Sequence, residues 1–261
     1  RSTLFPYTTL FRSPYRILIG CGGKGQKGLA GVSPEQGAAA AATDSMWVVA
    51  EEFYRHARWE KLTEELDRLS LLMPPNEARR VRLRYLSGEA KLGMGDPLSA
   101  AREFRKVSDE TPSDPLAPDA LLRAGDAFFQ IWKRPELDDT YGKTALATYQ
   151  ELVNRYPSSA AAKRGQIHIA DLQDRFALKS YKAAQYYMRL KAYDSAILYL
   201  RDLVATYPRA AIAPQALLRL VQAYERLGYE EDVRETCGYI RRFHSGAPGV
   251  DEVCPAPPPG A

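Results

Sequence analysis

The chain has 261 residues, and 36 basic against 32 acidic side chains leave a formal charge of +4. So balanced a surface lacks the concentrated basic face that phosphate backbones require, which argues against a nucleic-acid partner. Three histidines (His56, His168, His244) and three cysteines (Cys21, Cys237, Cys254) lie scattered without paired ligand spacing, so no metal set is expected. No cofactor fingerprint, carboxylate pair or Ser/His/Asp order stands out, so neither a cofactor nor an enzymatic activity is expected.

Residues 1–13, RSTLFPYTTLFRS, resemble the in-frame translation of a short-read sequencing adapter and are set aside as an artefact. They carry Arg1 and Arg12, so the charge without them is +2. Residues 14–21 read as a truncated lipoprotein signal. The run Ile17-Leu18-Ile19-Gly20-Cys21 resembles a lipobox, in which a narrow residue precedes a cysteine that is diacylated, cleaved free and N-acylated with palmitate-type chains. Cys21 is therefore the expected lipidation site, and several acyl chains would hold the protein on a membrane. The glycines that follow look phosphate-friendly but lack the Gly-Lys-Ser/Thr spacing of a P-loop. Residues 22–44, rich in Gly, Ala, Ser and Gln, read as a flexible linker, with Asp44 placed to cap the first helix.

From 45 to 243 the chain repeats one pattern, clearest in Ser180–Pro208. Small residues at Ala184 and Ala196 alternate with bulky ones at Tyr187, Leu200 and Leu203, and Pro208 closes the unit. Such a grid, recurring every ~34 residues, is that of the tetratricopeptide hairpin, in which small residues let two helices cross closely. It fits again at Gly88, Ala100, Phe104, Val107 and Pro112, and at Gly125, Ala145, Tyr149, Leu152 and Pro157. Ala50, Phe53, Leu62, Leu66, Leu69 and Pro74 give a first hairpin; Tyr224, Gly228, Val233 and Ile240 give a last one. The expected fold is all-α, a right-handed solenoid of about five tetratricopeptide-like hairpins. Tyr149 and Tyr187 are expected in its core. Residues 244–261, ending in prolines, read as a disordered tail. Cys237 falls at a packed position, either as a buried thiol or in a disulfide with Cys254 that would pin the tail.

Arg79-Arg80, Arg82 and Arg84 form the one dense basic cluster, either a solvated helix face or a surface for a carboxylate-bearing peptide. Several of the sixteen tyrosines fall outside packing positions, where they supply contact area at little entropic cost.

The stretch Glu151-Leu152-Val153-Asn154-Arg155-Tyr156-Pro157, followed by Asp174-Arg175-Phe176-Ala177 and by Ala184-Gln185-Tyr186-Tyr187-Met188-Arg189, resembles the BamD/ComL-type lipoproteins of the outer-membrane β-barrel assembly machine. The resemblance spans roughly residues 44–243. Lys191 stands where that family often has glycine. It implies a non-enzymatic scaffold, lipid-anchored on the periplasmic face of the outer membrane and acting as a monomer within a hetero-complex. The N-terminal repeats would hold unfolded outer-membrane proteins, and the C-terminal repeats would dock the barrel-forming subunit. On the substrate side Tyr54, Arg55, Arg84 and Tyr85 are chosen by repeat position and chemistry; on the partner side Tyr186 and Arg189 follow from the matched segment. The alternative is another exported tetratricopeptide adaptor in cell-envelope or cell-division coordination. A repeat-bearing peptidoglycan hydrolase is a third possibility, but no catalytic domain fits in the remaining residues.

Overall fold

A computed structural model describes residues 34–134 and 138–254, with side chains from residue 41 onward. The adapter-like segment, Cys21 and the last seven residues lie outside the described residues. Contacts separate Arg1–Ala41 from Ala42–Ala261. The described residues of the first unit are the opening turns of one helix, and the account below concerns the second.

Among the described residues ten helices form five hairpins: α1 (Pro34–Arg55) with α2 (Trp59–Leu72), α3 (Arg79–Gly93) with α4 (Pro97–Glu110), α5 (Ala117–Ile131) with α6 (Thr140–Arg155), α7 (Ala160–Arg189) with α8 (Tyr193–Thr206), and α9 (Ala213–Leu227) with α10 (Glu230–Phe243). A one-turn helix, α11 (Val250–Val253), follows. No strand occurs among the described residues. Each helix from α2 onward packs on the next, which is the all-α solenoid of five tetratricopeptide-like hairpins predicted from the repeat grid.

The grid works by shape. Phe104 is fully buried, and a methyl group on Gly88 would come within 2.6 Å of its ring. The missing side chain on α3 is thus the space that the Phe104 ring fills. Gly125 and Tyr149 repeat the arrangement between α5 and α6. Burying a side chain of this size contributes roughly 1.5–3 kcal/mol, and Leu62, Leu66, Leu86, Leu152, Leu200 and Leu203 are equally dry. The closing prolines work at the backbone. Tyr156 N–H donates to Leu152 O at 2.9 Å and Tyr207 N–H to Leu203 O at 2.8 Å; Pro157 and Pro208, with no N–H, cannot extend the helix. Caps start others: Asp96 accepts from Ser99 N–H at 3.0 Å ahead of Pro97, and Ser159 from Ala162 N–H at 3.0 Å.

The odd-numbered helices form one layer. α5 touches α7 and α7 touches α9 directly, whereas α4, α6 and α8 have no comparable contact with one another. Side chains on the odd helices can therefore meet across repeat boundaries.

The expectations fail at three places. The predicted linker ends early: α1 begins at Pro34, so Asp44 lies inside it and caps nothing. The run Ala38–Ala42 has the highest helix propensity available and carries the helix upstream. Asp44 instead accepts a hydrogen bond from Arg79 Nη1 at 2.7 Å. The tail is ordered through Cys254, because Ala247, Val250 and Val253 have apolar surface to bury against the last hairpin. Of the two readings for Cys237, the structure takes the second: its sulfur is bonded to Cys254 at 2.00 Å. Finally, Tyr187 is half-buried rather than core, because it sits at the α7–α8 tip, and the buried rings on α7 are Phe176 and Tyr181.

At that same tip Lys191 adopts φ 59°, a left-handed conformation costing a side-chain-bearing residue roughly 1–2 kcal/mol. Lys191→Gly removes that strain but adds freedom to the unfolded chain. A net gain of about 0.5 kcal/mol is expected in a denaturant melt; a loss would mean that the Lys191 side chain holds the tip.

Candidate functional site

The odd-helix layer carries a continuous row of half-buried aromatic rings and arginine–carboxylate pairs from α1 to α7. It begins at Glu51, whose carboxylate accepts from Arg82 Nε at 3.1 Å and Nη2 at 3.2 Å. The Arg82 guanidinium sits 5.5 Å from the Tyr54 ring centre and 5.7 Å from that of Tyr85, within cation–π range of both. Tyr54 stands edge-on to Trp59, and Tyr85 edge-on to Phe104 at 5.4 Å.

Glu89, Arg123 and Asp126 continue the row into α5. Arg123 Nε and Nη2 donate to the two oxygens of Glu89 at 2.6 and 2.7 Å, the parallel geometry that a guanidinium makes best with a carboxylate. Its Nη1 reaches Asp126 at 3.3 Å. Asp126 also accepts from the Tyr149 hydroxyl at 2.7 Å, and His168 of α7 stacks on the Tyr149 ring at 5.0 Å. Arg175 closes the row, 4.6 Å from the Phe129 ring centre and bonded to Asp171.

Burial and pairing fix the charge states of the tyrosines and of Arg82 and Arg123. Burial, reinforced by Glu89, pushes the Tyr85 phenol far above the ordinary tyrosine value; burial and Asp126 do the same for Tyr149. Burial and Glu89 likewise raise Tyr54. For Arg82 and Arg123 burial disfavours the charge, but the bonds to Glu51 and Glu89 outweigh it and raise both. Neutral phenols therefore alternate with permanent cations whose carboxylate partners are already supplied. Such a row offers flat ring edges and backbone-sized polar contacts to an extended peptide.

Of the four predicted substrate-side residues, Tyr54 and Tyr85 come together, joined by Arg82. Arg55 does not join them: it is exposed at the end of α1, its Nε bonded to Glu51 O at 3.3 Å. Nor does Arg84, which pairs with Glu110 of α4 and lines a separate cleft with Arg80 and Lys91. The basic cluster is neither a solvated face nor an open carboxylate site. Arg79 pairs with Asp44 and Glu77, Arg80 bonds the carbonyls of Ser70, Met73 and Pro74, and Arg82 holds Glu51. Sequence reasoning named Arg82 only as part of the basic cluster, and it missed Glu89, Arg123, Asp126 and His168 as members of the row. A usable signal existed: Glu89 and Arg123 are 34 residues apart, one repeat length.

The two partner-side residues do meet. Arg189 lies 6.0 Å from the Tyr186 ring centre, Tyr186 packs edge-on to Tyr187, and Tyr187 stacks on Tyr199 of α8 at 5.3 Å. Tyr186 is 51% exposed and Leu190 58%, which makes the α7–α8 tip an aromatic and apolar patch rimmed by Arg189. Among the described residues no group of three His, Cys, Asp or Glu could hold a metal, and no helix is long and apolar enough to cross a membrane.

Residues 120–238, from α5 to α10 and including that tip, match the YfiO family, described as an outer membrane lipoprotein. The outer membrane protein assembly factor BamD of Vibrio cholerae is 31% identical over 103 residues, 40% of this chain and 43% of the relative. That of Caulobacter vibrioides is 23% identical over 188 residues, 72% of this chain and 57% of the relative. The chain thus spans about half the length of the curated relatives it matches. Among solved structures, a yeast Sti1 domain complex described as TPR2AB with pHSP90 is 11% identical over 80% of each chain, at a TM-score of 0.42. The repeat domain of this chain is thus similar, over part of its length, to an outer membrane lipoprotein family and to outer membrane protein assembly factors.

Proposed function

We propose that the chain is a non-enzymatic scaffold in outer-membrane β-barrel assembly, anchored through Cys21 on the periplasmic face of the outer membrane. The observation that carries this reading is the match of α5–α10 to the outer-membrane lipoprotein family, together with relatives named as assembly factors. The aromatic and arginine row on the odd helices of the first three hairpins suits an extended segment of an unfolded barrel protein. Neutral Tyr54 and Tyr85 offer ring surface, and Arg82 supplies a cation between them. The α7–α8 tip suits a folded partner, because Tyr186 and Arg189 are of the residue types that anchor protein interfaces. The barrel-forming subunit is that partner.

A crosslinked pull-down from detergent-solubilised envelopes, with the full gene and its own leader, tests the reading. Recovery of a large outer-membrane barrel protein with periplasmic repeat domains supports it. Recovery of peptidoglycan-linked or division proteins without such a subunit overturns it in favour of another envelope adaptor. The tip gives a sharper prediction. Tyr186→Ala with Arg189→Glu is expected to weaken capture of the barrel-forming subunit by tenfold or more, since two central interface anchors together exceed 1.4 kcal/mol. Both side chains are exposed, so the melting temperature should stay where it was; full capture by the variant would exclude the tip as the docking surface.

A further inference from the structure

The segment after α10 copies the start of a repeat. Between α8 and α9, Tyr207 N–H donates to Leu203 O, Ala210 N–H to Tyr207 O and Ala216 N–H to Ile212 O, at 2.8, 3.1 and 2.9 Å. After α10, His244 N–H donates to Ile240 O, Ala247 N–H to His244 O and Val253 N–H to Gly249 O, at 2.7, 2.9 and 3.1 Å. The two ladders share one register, which sets Val250 on Ala213 and Cys254 on Leu217. Ala213, Leu217, Val250 and Cys254 are all buried. α11 also packs on both α9 and α10, as the first helix of a following repeat would.

We infer that α11 is the stub of a sixth repeat and that the Cys237–Cys254 disulfide is a covalent latch holding it over the open end of the last hairpin. A four-residue helix cannot persist by itself, because nucleation costs more than one turn returns. Ala247, Val250 and Val253 give it some apolar grip, and Arg241 Nη2 donates to Cys254 O at 3.1 Å. The disulfide supplies the rest. By closing a loop with a sequence separation of 17 it disfavours the open strap by about a hundredfold. Forming it removes two protons and two electrons from the two thiols and passes them to an exchanging disulfide, which leaves as two thiols. That chemistry needs an oxidising compartment, so the latch is a folding-time modification of an exported chain. Cys237 and Cys254 are 2% and 4% exposed, and a reducing thiolate reaches them only when the strap lifts.

The test uses the full chain made in an oxidising compartment. In denaturant, Cys237 and Cys254 should alkylate only after dithiothreitol treatment. In the native chain their reduction should be slow, and faster by tenfold or more in Val250→Asp, where the disulfide is intact but the strap is unseated. Trypsin cleavage at Arg241 and Arg242 should rise tenfold or more both in the reduced wild type and in Cys237→Ser/Cys254→Ser. Two free thiols in the chain as purified would overturn the latch. So would equal cleavage rates in the oxidised and reduced chains, or equal reduction rates with and without the Val250 change.

Discussion

Replacing Tyr149 by alanine is expected to cost about 4 kcal/mol and to lower the melting temperature by roughly 10 °C. The ring is wholly dry, fills the space opposite Gly125, carries His168 on its face and donates its hydroxyl to Asp126. Large-to-alanine changes at aromatic core sites run at about 3–5 kcal/mol, and a chain of this size loses about 2–4 °C per kcal/mol. Tyr149→Phe keeps the ring and removes only the hydroxyl, so about 1–2 kcal/mol of that loss should appear there. Gly125 gives the decisive comparison. In the wild type Gly125→Ala drives a methyl into the Tyr149 ring and should cost about 1–3 kcal/mol. In the Tyr149→Ala background the same methyl enters vacated space, and its cost should vanish. Calorimetry of the four-member cycle measures this coupling; an additive result would show that the small and bulky positions do not interlock.

That interlock is the part of the molecule most legible in the amino-acid sequence. The spacing of Gly88, Ala100, Phe104 and Val107 reports a packing problem solved within about forty residues, and each repeat states the solution again. The charged row was not legible in the same way. Arg82 and Arg84 look equivalent in the sequence, yet α3 turns one toward α1 and the other toward α4, because positions two apart lie on opposite sides of a helix. Which side meets the neighbouring repeat depends on how α1, α3 and α5 are layered, and no single hairpin specifies that. The same reasoning covers Tyr186 and Tyr187. Adjacent on α7, they diverge by about 100°, so one faces solvent and the other stacks on Tyr199. The stub α11 was missed for a different reason. Prolines and glycines around it suggested disorder, while its evidence for order, Val250 and Cys254 in register with Ala213 and Leu217, is too short to form a period.

The second large effect is expected at the pair that joins repeats two and three. Glu89 has nine-tenths of its side chain buried, and Arg123 neutralises it through two short parallel bonds across the α3–α5 boundary. Arg123→Met leaves that carboxylate buried without its partner, a loss of about 3–5 kcal/mol. Glu89→Leu with Arg123→Met removes both charges and fills their volume, and the double variant should return to within about 1 kcal/mol of the wild type. Urea melts of the three chains decide the matter: a single variant as stable as the wild type would mean that water already screens the carboxylate. Stability is only half of the expectation. The pair also fixes the angle at which the third hairpin meets the second, and through Phe104 it fixes the ring that Tyr85 leans on. A leucine–methionine contact packs as well but has no direction, so on the function proposed above the double variant should keep its melting behaviour while losing affinity for extended peptide segments. Recovery of stability without recovery of peptide binding would separate the two roles of one ion pair, holding the solenoid together and aiming its row of rings.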